Sequence, residues 1–327
     1  MADALVLRGV TKTFGDTVAV RDLDLTVPEG GLYGVIGPNG AGKTTTIRMI
    51  LSILLPDRGE LSILGRPSAA EAKDYIGYLP EERGLYRKMR VGEFLLYMAR
   101  LKGVRGSQAQ QSVQAWLERV ELGEVAPKRC EELSKGMQQK VQFVAAVIHQ
   151  PELLILDEPF AGLDPVNQHL MRDLVLDEHR RGATVLFSTH IMGQAEQLCD
   201  HVVMIHEGRK VLDATMAGIR AQFDPRSLLF EPLDPAAPVA TAASVPGVRA
   251  IHREGALWEI ALSDDASPAQ VIGDLAIRIT PARIEVRRPT LEDVFIQIVT
   301  DGRTKAGEDL DRLLAGLRDP GATTGAR

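Results

Sequence analysis

The sequence predicts an α/β chain: a parallel-sheet core with an antiparallel β section and a helical section, followed by a small α+β domain. Three observations predict it. An apolar strand, Leu32-Tyr33-Gly34-Val35-Ile36, runs into Gly37-Pro38-Asn39-Gly40-Ala41-Gly42-Lys43-Thr44-Thr45 and then into a helical pattern of Ile47, Met49, Ile50, Ile53 and Leu54. A wholly apolar run, Leu153-Leu154-Ile155-Leu156, ends in Asp157-Glu158, as expected of a strand buried on both faces of a parallel sheet. Past about residue 220 the pattern shifts to short strands and a stretch rich in Pro and Ala.

Taken in order, Val6, Val10 and Phe14 mark amphipathic β structure ahead of the glycine-rich loop. In that loop the glycines let the backbone curl so that successive N–H groups aim inward, and the new helix adds its positive dipole end. Lys43 can reach the outer phosphates of a ligand, and the Thr44 hydroxyl can join a magnesium shell. Strand, loop and helix in this order imply a nucleoside triphosphate site. Tyr75-Ile76-Gly77-Tyr78-Leu79-Pro80 reads as the next strand, leading to Glu81.

A helical section runs from ~91 to 150, first with Phe94, Leu95, Tyr97, Met98 and Leu101. After a break at Arg105-Gly106-Ser107 it continues with Val113, Trp116, Leu117 and Val120. Leu133-Ser134-Lys135-Gly136-Met137-Gln138-Gln139-Lys140 then opens a helix carrying Val141, Val144, Ala145, Val147 and Ile148. Ser134 suits its N-cap, and Gly136 admits close approach of a ligand to the backbone. The acidic pair ends at the carboxyl edge of the sheet, where ligands of open α/β sheets bind. There Asp157 is expected to hold magnesium through water, and Glu158 to orient or deprotonate an attacking water. Thr184 to His190 is a strand ending in histidine, and His201 to Ile205 pairs with Lys210 to Leu212 across Glu207-Gly208.

The second domain is expected over 221–301. Ser227 to Phe230, Val248 to His252, Leu257 to Leu262 and Arg283 to Val286 read as strands, and Pro268 to Leu275 and Thr290 to Val299 as helices. The order βαββαβα accommodates them, and Thr290 with Asp293 forms a capping pattern. Asp264-Asp265 reads as a solvated turn. Residues 302–327, rich in Gly, Asp, Arg and Ala, are expected to be disordered.

The series from the phosphate loop to His190 resembles the ATP-binding cassette (ABC) ATPases, a family of P-loop NTPases with an antiparallel β subdomain and a helical subdomain. The resemblance spans residues ~5 to 215. The family's signature, Leu-Ser-Gly-Gly-Gln, is matched at Ser134 and Gly136, while Lys135 and Met137 depart from it; Gln138, next along, is a further candidate nucleotide contact. The resemblance implies that this helix start grips the terminal phosphate of ATP held by a second subunit, giving a head-to-tail ATP-sandwich dimer. It further implies that Asp164, in Ala161-Gly162-Leu163-Asp164, links the two sites. His190 would bond the terminal phosphate and hold the attacking water. Phe14 stands where the family stacks an aromatic ring on adenine, although the β pattern equally allows a core position. Glu81 replaces the family's usual glutamine, which touches magnesium and leads into the membrane contact; a carboxylate can still ligate the ion. Glu81-Glu82-Arg83-Gly84-Leu85-Tyr86 is similar to a bacterial exporter subgroup that includes sodium-extruding systems, as is the closing Pro289-Thr290-Leu291-Glu292-Asp293-Val294-Phe295. Expected cofactors are ATP and Mg2+.

The chain has 327 residues and a net charge of −6, which gives no sign of a nucleic-acid binder. Two cysteines, Cys130 and Cys199, are too few for a disulfide framework or a zinc cluster. Neither a secretory signal nor an apolar run of ~18 residues is read, so the expectation is a cytoplasmic subunit, peripheral on the inner face of the cell membrane. Transport then requires a separate integral-membrane permease, with Glu81 to Met89 as its contact and a homodimer or pseudo-symmetric dimer of ATPase subunits beneath it. The alternative is a soluble ABC ATPase of translation or DNA maintenance. Members of that kind usually carry two cassettes or long coiled-coil insertions, whereas here only about 90 residues separate Lys43 from Ser134. The transported substance is open at this level: sodium ions, a drug-like amphiphile or a lipid.

Overall fold

The computed structural model describes residues 2–82, 84–223 and 226–303. Arg83 and the tail beyond Arg303 lie outside the described residues, and with them the expected disorder of that tail. The chain divides into two compact units, one reaching to Met216 and resuming at Ile298, the other Ala217–Gln297.

In the first unit β1 (Asp3–Phe14), β2 (Thr17–Pro28) and β4 (Arg58–Ile63) form an antiparallel sheet ordered β2-β1-β4. Leu5, Leu7, Val10, Leu23, Leu25 and Val27 on its inner face share a core with Ile47 and Ile50 of α1 (Lys43–Ile50) and with Val35 of β3 (Leu32–Ile36). That helix is shorter than the apolar periodicity suggests. Ser52 sits in the left-handed region at φ 56°, which ends the helix, so Ile53 and Leu54 fall beyond it and Ile53 is largely exposed.

The central sheet is ordered β5-β6-β7-β3-β8-β9, built from β5 (Ile76–Leu79), β6 (Leu153–Asp157), β7 (Thr184–Thr189), β8 (His201–His206) and β9 (Arg209–Thr215) with β3. Four of the five neighbouring pairs are parallel; only β9 returns antiparallel, through the turn Glu207-Gly208 with both residues at positive φ, as a two-residue hairpin requires. Tyr75 belongs to a helical turn ahead of β5 rather than to the strand. The short α2 (Ala69–Ala72) precedes it.

Three helices make the section between β5 and β6: α3 (Val91–Leu101), α4 (Gly106–Arg119) and α5 (Lys135–Val147). From Gln139 to Val147 every residue of α5 is buried, and each of its three long polar side chains donates to a backbone carbonyl, although Gln142 Oε1 has no partner. Gln139 donates to Pro159 O at 3.2 Å, Lys140 to Val120 O at 3.2 Å and Gln142 to Glu82 O at 3.0 Å. The helices α6 (Pro165–Arg180) and α7 (Met192–Leu198) follow β6 and β7, and α8 (Met216–Gln222) follows β9.

The second unit contains a four-stranded antiparallel sheet ordered β11-β12-β10-β13: β10 (Ser227–Pro232), β11 (Val248–Glu254), β12 (Leu257–Leu262) and β13 (Pro281–Val286). Leu228, Phe230, Ile260 and Leu262 share a core with Val271 and Leu275 of α9 (Pro268–Arg278). The first helical position of the expected order is a 3-10 stretch, Val239–Ser244. On Glu259, Arg287 closes at 2.6 Å and the Ser227 hydroxyl at 2.8 Å. The final helix α10 (Leu291–Arg303) outruns its expected end, and its cap is reciprocal: Thr290 N donates to Asp293 Oδ2 and Asp293 N to Thr290 Oγ1, both at 3.1 Å.

Candidate functional site

Four adjacent parallel strands, β5-β6-β7-β3, each release a predicted residue at their carboxyl ends. Glu81 follows β5, Asp157 ends β6 with Glu158 next, His190 follows β7, and the phosphate loop follows β3. Sheet order thus gathers residues more than a hundred positions apart in sequence.

The loop's shape depends on two of its glycines. Gly37 has φ +151°, and a Cβ there would lie 2.1 Å from Ile205 O; Gly42 has φ +109°, with Ala19 O 2.5 Å from its would-be Cβ. The β8–β9 turn braces the loop, with Gly208 N donating to Ala41 O at 2.9 Å. Lys43 is buried, and its ammonium donates to Gly37 O at 2.8 Å and Pro38 O at 3.1 Å. Burial lowers the Lys43 pKa, with Glu158, Asp157 and Glu81 opposing that shift. An open cavity of about 370 Å3 surrounds it, lined by Ala19, Asn39, Gly40, Gly42, Lys43, Thr44, Thr45, Glu81 and Glu158.

Asp157 is fully buried and accepts from the Ser188 hydroxyl of the neighbouring strand, while its Oδ2 has no hydrogen-bond partner. Burial raises its pKa, and a buried carboxylate oxygen left open is costly unless a cation meets it. Glu81 is likewise raised, by partial burial and then by Asp157 and Glu158. Among the described residues no group of three or more His, Cys, Asp or Glu is placed to hold a metal unaided. The donor set Thr44, Asp157 and Glu81 therefore fits an ion that brings further oxygen ligands with it, as Mg2+ does on a nucleotide.

Glu158 stands at φ 50°, an unusual backbone conformation that sets its side chain beside His190. Its Oε1 accepts from His190 N at 2.9 Å and lies 2.8 Å from His190 Nδ1. That hydrogen bond raises the histidine pKa against the pull of burial. His190, expected to bond the terminal phosphate, holds Glu158 in place through its backbone N–H and Nδ1.

The other expected ligand residues are not in the cavity lining. Ser134 caps α5, its hydroxyl accepting from Met137 N at 3.3 Å, and Asp164 caps α6, accepting from Asn167 N at 3.0 Å. Gly136 is open to approach, its would-be Cβ meeting nothing nearer than Leu163 at 3.5 Å. The Gln138 amide donates to Cys130 O and Leu133 O, and so shapes the turn ahead of Ser134. Phe14 is 48 % exposed at the β1–β2 hairpin tip, with the Lys12 ammonium 5.7 Å from its ring, so it is not a core residue. Sequence reasoning missed Ala19, Ser188 and the bracing Gly208. Ser188 sits two residues before His190 and was visible only as part of an apolar strand.

Loop, paired acids and histidine on one sheet edge define a nucleotide-hydrolysing cassette. The family model described as "ABC transporter" matches residues 20–161. One described as "ATP-binding protein DrrA1-3-like, C-terminal domain" matches residues 215–299. An uncharacterized ABC transporter ATP-binding protein of Bacillus subtilis (YhaQ) is 41 % identical over 295 residues, covering 90 % of this chain and 98 % of that protein. The Nod factor export ATP-binding protein I of a Rhizobium species (strain N33) is 34 % identical over 308 residues, covering 90 % and 96 %. A solved structure of an ATP-binding subunit of an ABC transporter superposes with a TM-score of 0.63 at 33 % identity, covering 67 % of this chain and 93 % of that one. The chain belongs to the ATP-binding subunits of ABC transporters and is an ATPase.

Proposed function

We propose that this subunit powers an exporter through a separate membrane permease, hydrolysing ATP with Mg2+ in a head-to-tail dimer at the inner face of the membrane. Support for the dimer is the split site: the cavity holds Lys43, Thr44 and Glu158, while Ser134, Gly136 and Asp164 lie outside its lining. Support for export is the similarity to a Nod factor export ATP-binding protein. No described helix is long and apolar enough to cross a membrane, so the translocation path is assigned to another chain.

In this reading the loop N–H groups and Lys43 bind the phosphates, and Thr44, Asp157 and Glu81 hold Mg2+. The ion neutralises phosphate charge when bound. Glu158 takes the proton of the attacking water on its second oxygen, while His190 fixes the first. A second copy's Ser134 and Gly136 close over the terminal phosphate, adding the dipole end of their own helix.

The observation that carries the permease assignment is a groove of about 370 Å3 that includes Tyr78, Pro80, Tyr86, Phe94 and Met98 in its lining. It opens beside Glu81, so one segment joins the magnesium site to the groove. Tyr86 is 54 % exposed even though its ring meets Phe94 and Tyr97, each at 5.9 Å between centroids. Exposed Tyr97 and Leu101 extend the apolar surface. Leu85, Tyr86 and Met89 therefore offer apolar side chains where a partner helix would dock, with exposed Arg87, Lys88 and Arg90 among them.

The double change Leu85→Ala with Tyr86→Ala is expected to leave basal ATPase activity within about twofold and to abolish most transport and permease co-purification. Undiminished transport would sink the coupling role, and failure to recover any permease would favour a soluble ATPase. For the dimer, ATP with Mg2+ should tighten self-association of Glu158→Gln by about tenfold or more in sedimentation. Equal association with and without ATP, alongside full wild-type activity at high dilution, would count against it.

A further inference from the structure

We infer that the second unit carries its own self-association edge: β13 pairs with β13 of a second copy about a twofold axis centred on Ile284, independently of nucleotide. The strand ends the sheet, and among the described residues nothing pairs with its outer side. Arg287 N donates to Ser227 O, and the ladder runs Leu229↔Glu285 and Glu231↔Arg283, so the N–H groups of Arg283, Glu285 and Arg287 point at β10. By alternation those of Ala282, Ile284 and Val286 point outward. Open edges of this kind are templates for another strand.

The side chains select the partner and the register. Ala282, Arg283, Glu285 and Val286 are exposed, and within one chain Arg283 and Glu285 stand 2.5 Å apart on one face. In a continuous antiparallel sheet, symmetry requires a residue to face itself at the axis. With Ile284 there, Arg283 opposes Glu285 of the partner twice over, and Ala282 opposes Val286. Outward N–H and C=O groups then meet in about six main-chain hydrogen bonds. Moving the centre to Arg283 sets arginine against arginine. Moving it to Glu285 sets glutamate against glutamate and Arg283 against Arg287. Of these three registers only the one centred on Ile284 is electrostatically self-complementary. A centre on Val286 would face Glu285 with Arg287, but the strand ends at Val286 and Arg287 already pairs with Glu259.

An apolar component lies beside it. Val286 is 44 % exposed, and α9, which packs against β13, carries Ile277, 86 % exposed, in its last turn. The twofold brings two such edges together on the same face, covering apolar surface that one copy leaves in water. An interface of this size fits a micromolar rather than a permanent dimer.

The test is sedimentation equilibrium of the full chain without nucleotide, over ~1–100 µM. Wild type should dimerise in this range. Arg283→Glu should weaken the dimer by about tenfold or more, since it places like charges opposite each other at two points. The exchange Arg283→Glu with Glu285→Arg should restore it, because opposite charges again face across the axis. A melting temperature for each variant reports any loss inside the chain, where Arg283 neighbours Glu231. A monomeric wild type, a charge-reversed variant that associates normally, or an exchange that fails to rescue would each overturn the inference. Adding ATP to Glu158→Gln in the Arg283→Glu background tests the sandwich dimer separately, so either association can fail without the other.

Discussion

Glu158→Gln is expected to bind ATP with near wild-type affinity and to hydrolyse it ~100- to 10,000-fold more slowly, the usual loss when general-base help is removed. The substitution keeps shape and both hydrogen-bond positions, so His190 N retains an acceptor where it now meets Oε1 at 2.9 Å. What disappears is the charge that can take a proton. Lys43→Ala should act on the other half of the cycle and weaken ATP binding itself, since the ammonium lies among the phosphate-loop carbonyls. Single-turnover hydrolysis and equilibrium binding of a fluorescent ATP analogue separate the two. Near wild-type hydrolysis by Glu158→Gln would remove Glu158 from the role of base. In that case Glu81, the other carboxylate in the cavity lining, becomes the residue to change next.

Among the described glycines, Gly37→Ala is expected to be the most damaging addition of a single methyl group. Its Cβ would fall 2.1 Å from the backbone oxygen of Ile205, and its φ of +151° is foreign to L-residues. Neither β3 nor β8 can retreat, because the two strands are paired in register beside it. A cost of ~3 kcal/mol or more follows from strain plus clash, with loss of measurable ATP binding. Gly40→Ala is the control: its φ is also positive at +77°, but nothing lies within 4 Å of the added carbon. That change should cost only about 1 kcal/mol. Thermal melts of both variants check the difference, and equal stability would show that the loop is softer than its contacts imply.

Much of the site could be read before any coordinates because its chemistry is local. Gly37 to Thr45 is one uninterrupted segment, and Asp157-Glu158 ends an apolar run whose burial is complete. What stayed hidden depends on lateral neighbours. The partner of Asp157 is Ser188 on the adjacent strand, and sequence says nothing of strand order. His190 could be placed at a strand end, yet its grip on Glu158 follows from β7 lying beside β6. Helix limits erred where a single residue overrides periodicity, as at Ser52 after α1. In the second unit the strands and the Thr290 cap were legible, whereas the 3-10 stretch Val239–Ser244 gives no period long enough to register.

The ammonium of Lys43 rests on two carbonyls of its own loop. A buried cation that carries its own acceptors has somewhere to return to when a phosphate departs. Nucleotide arrival exchanges one set of oxygens for another, and departure reverses the exchange without stranding a charge in a dry pocket. Affinity is correspondingly the difference between the two sets, smaller than the contacts to phosphate alone would supply. For a machine that must let go of its spent fuel every cycle, a binding lysine with acceptors of its own makes release less costly than the phosphate contacts alone would imply.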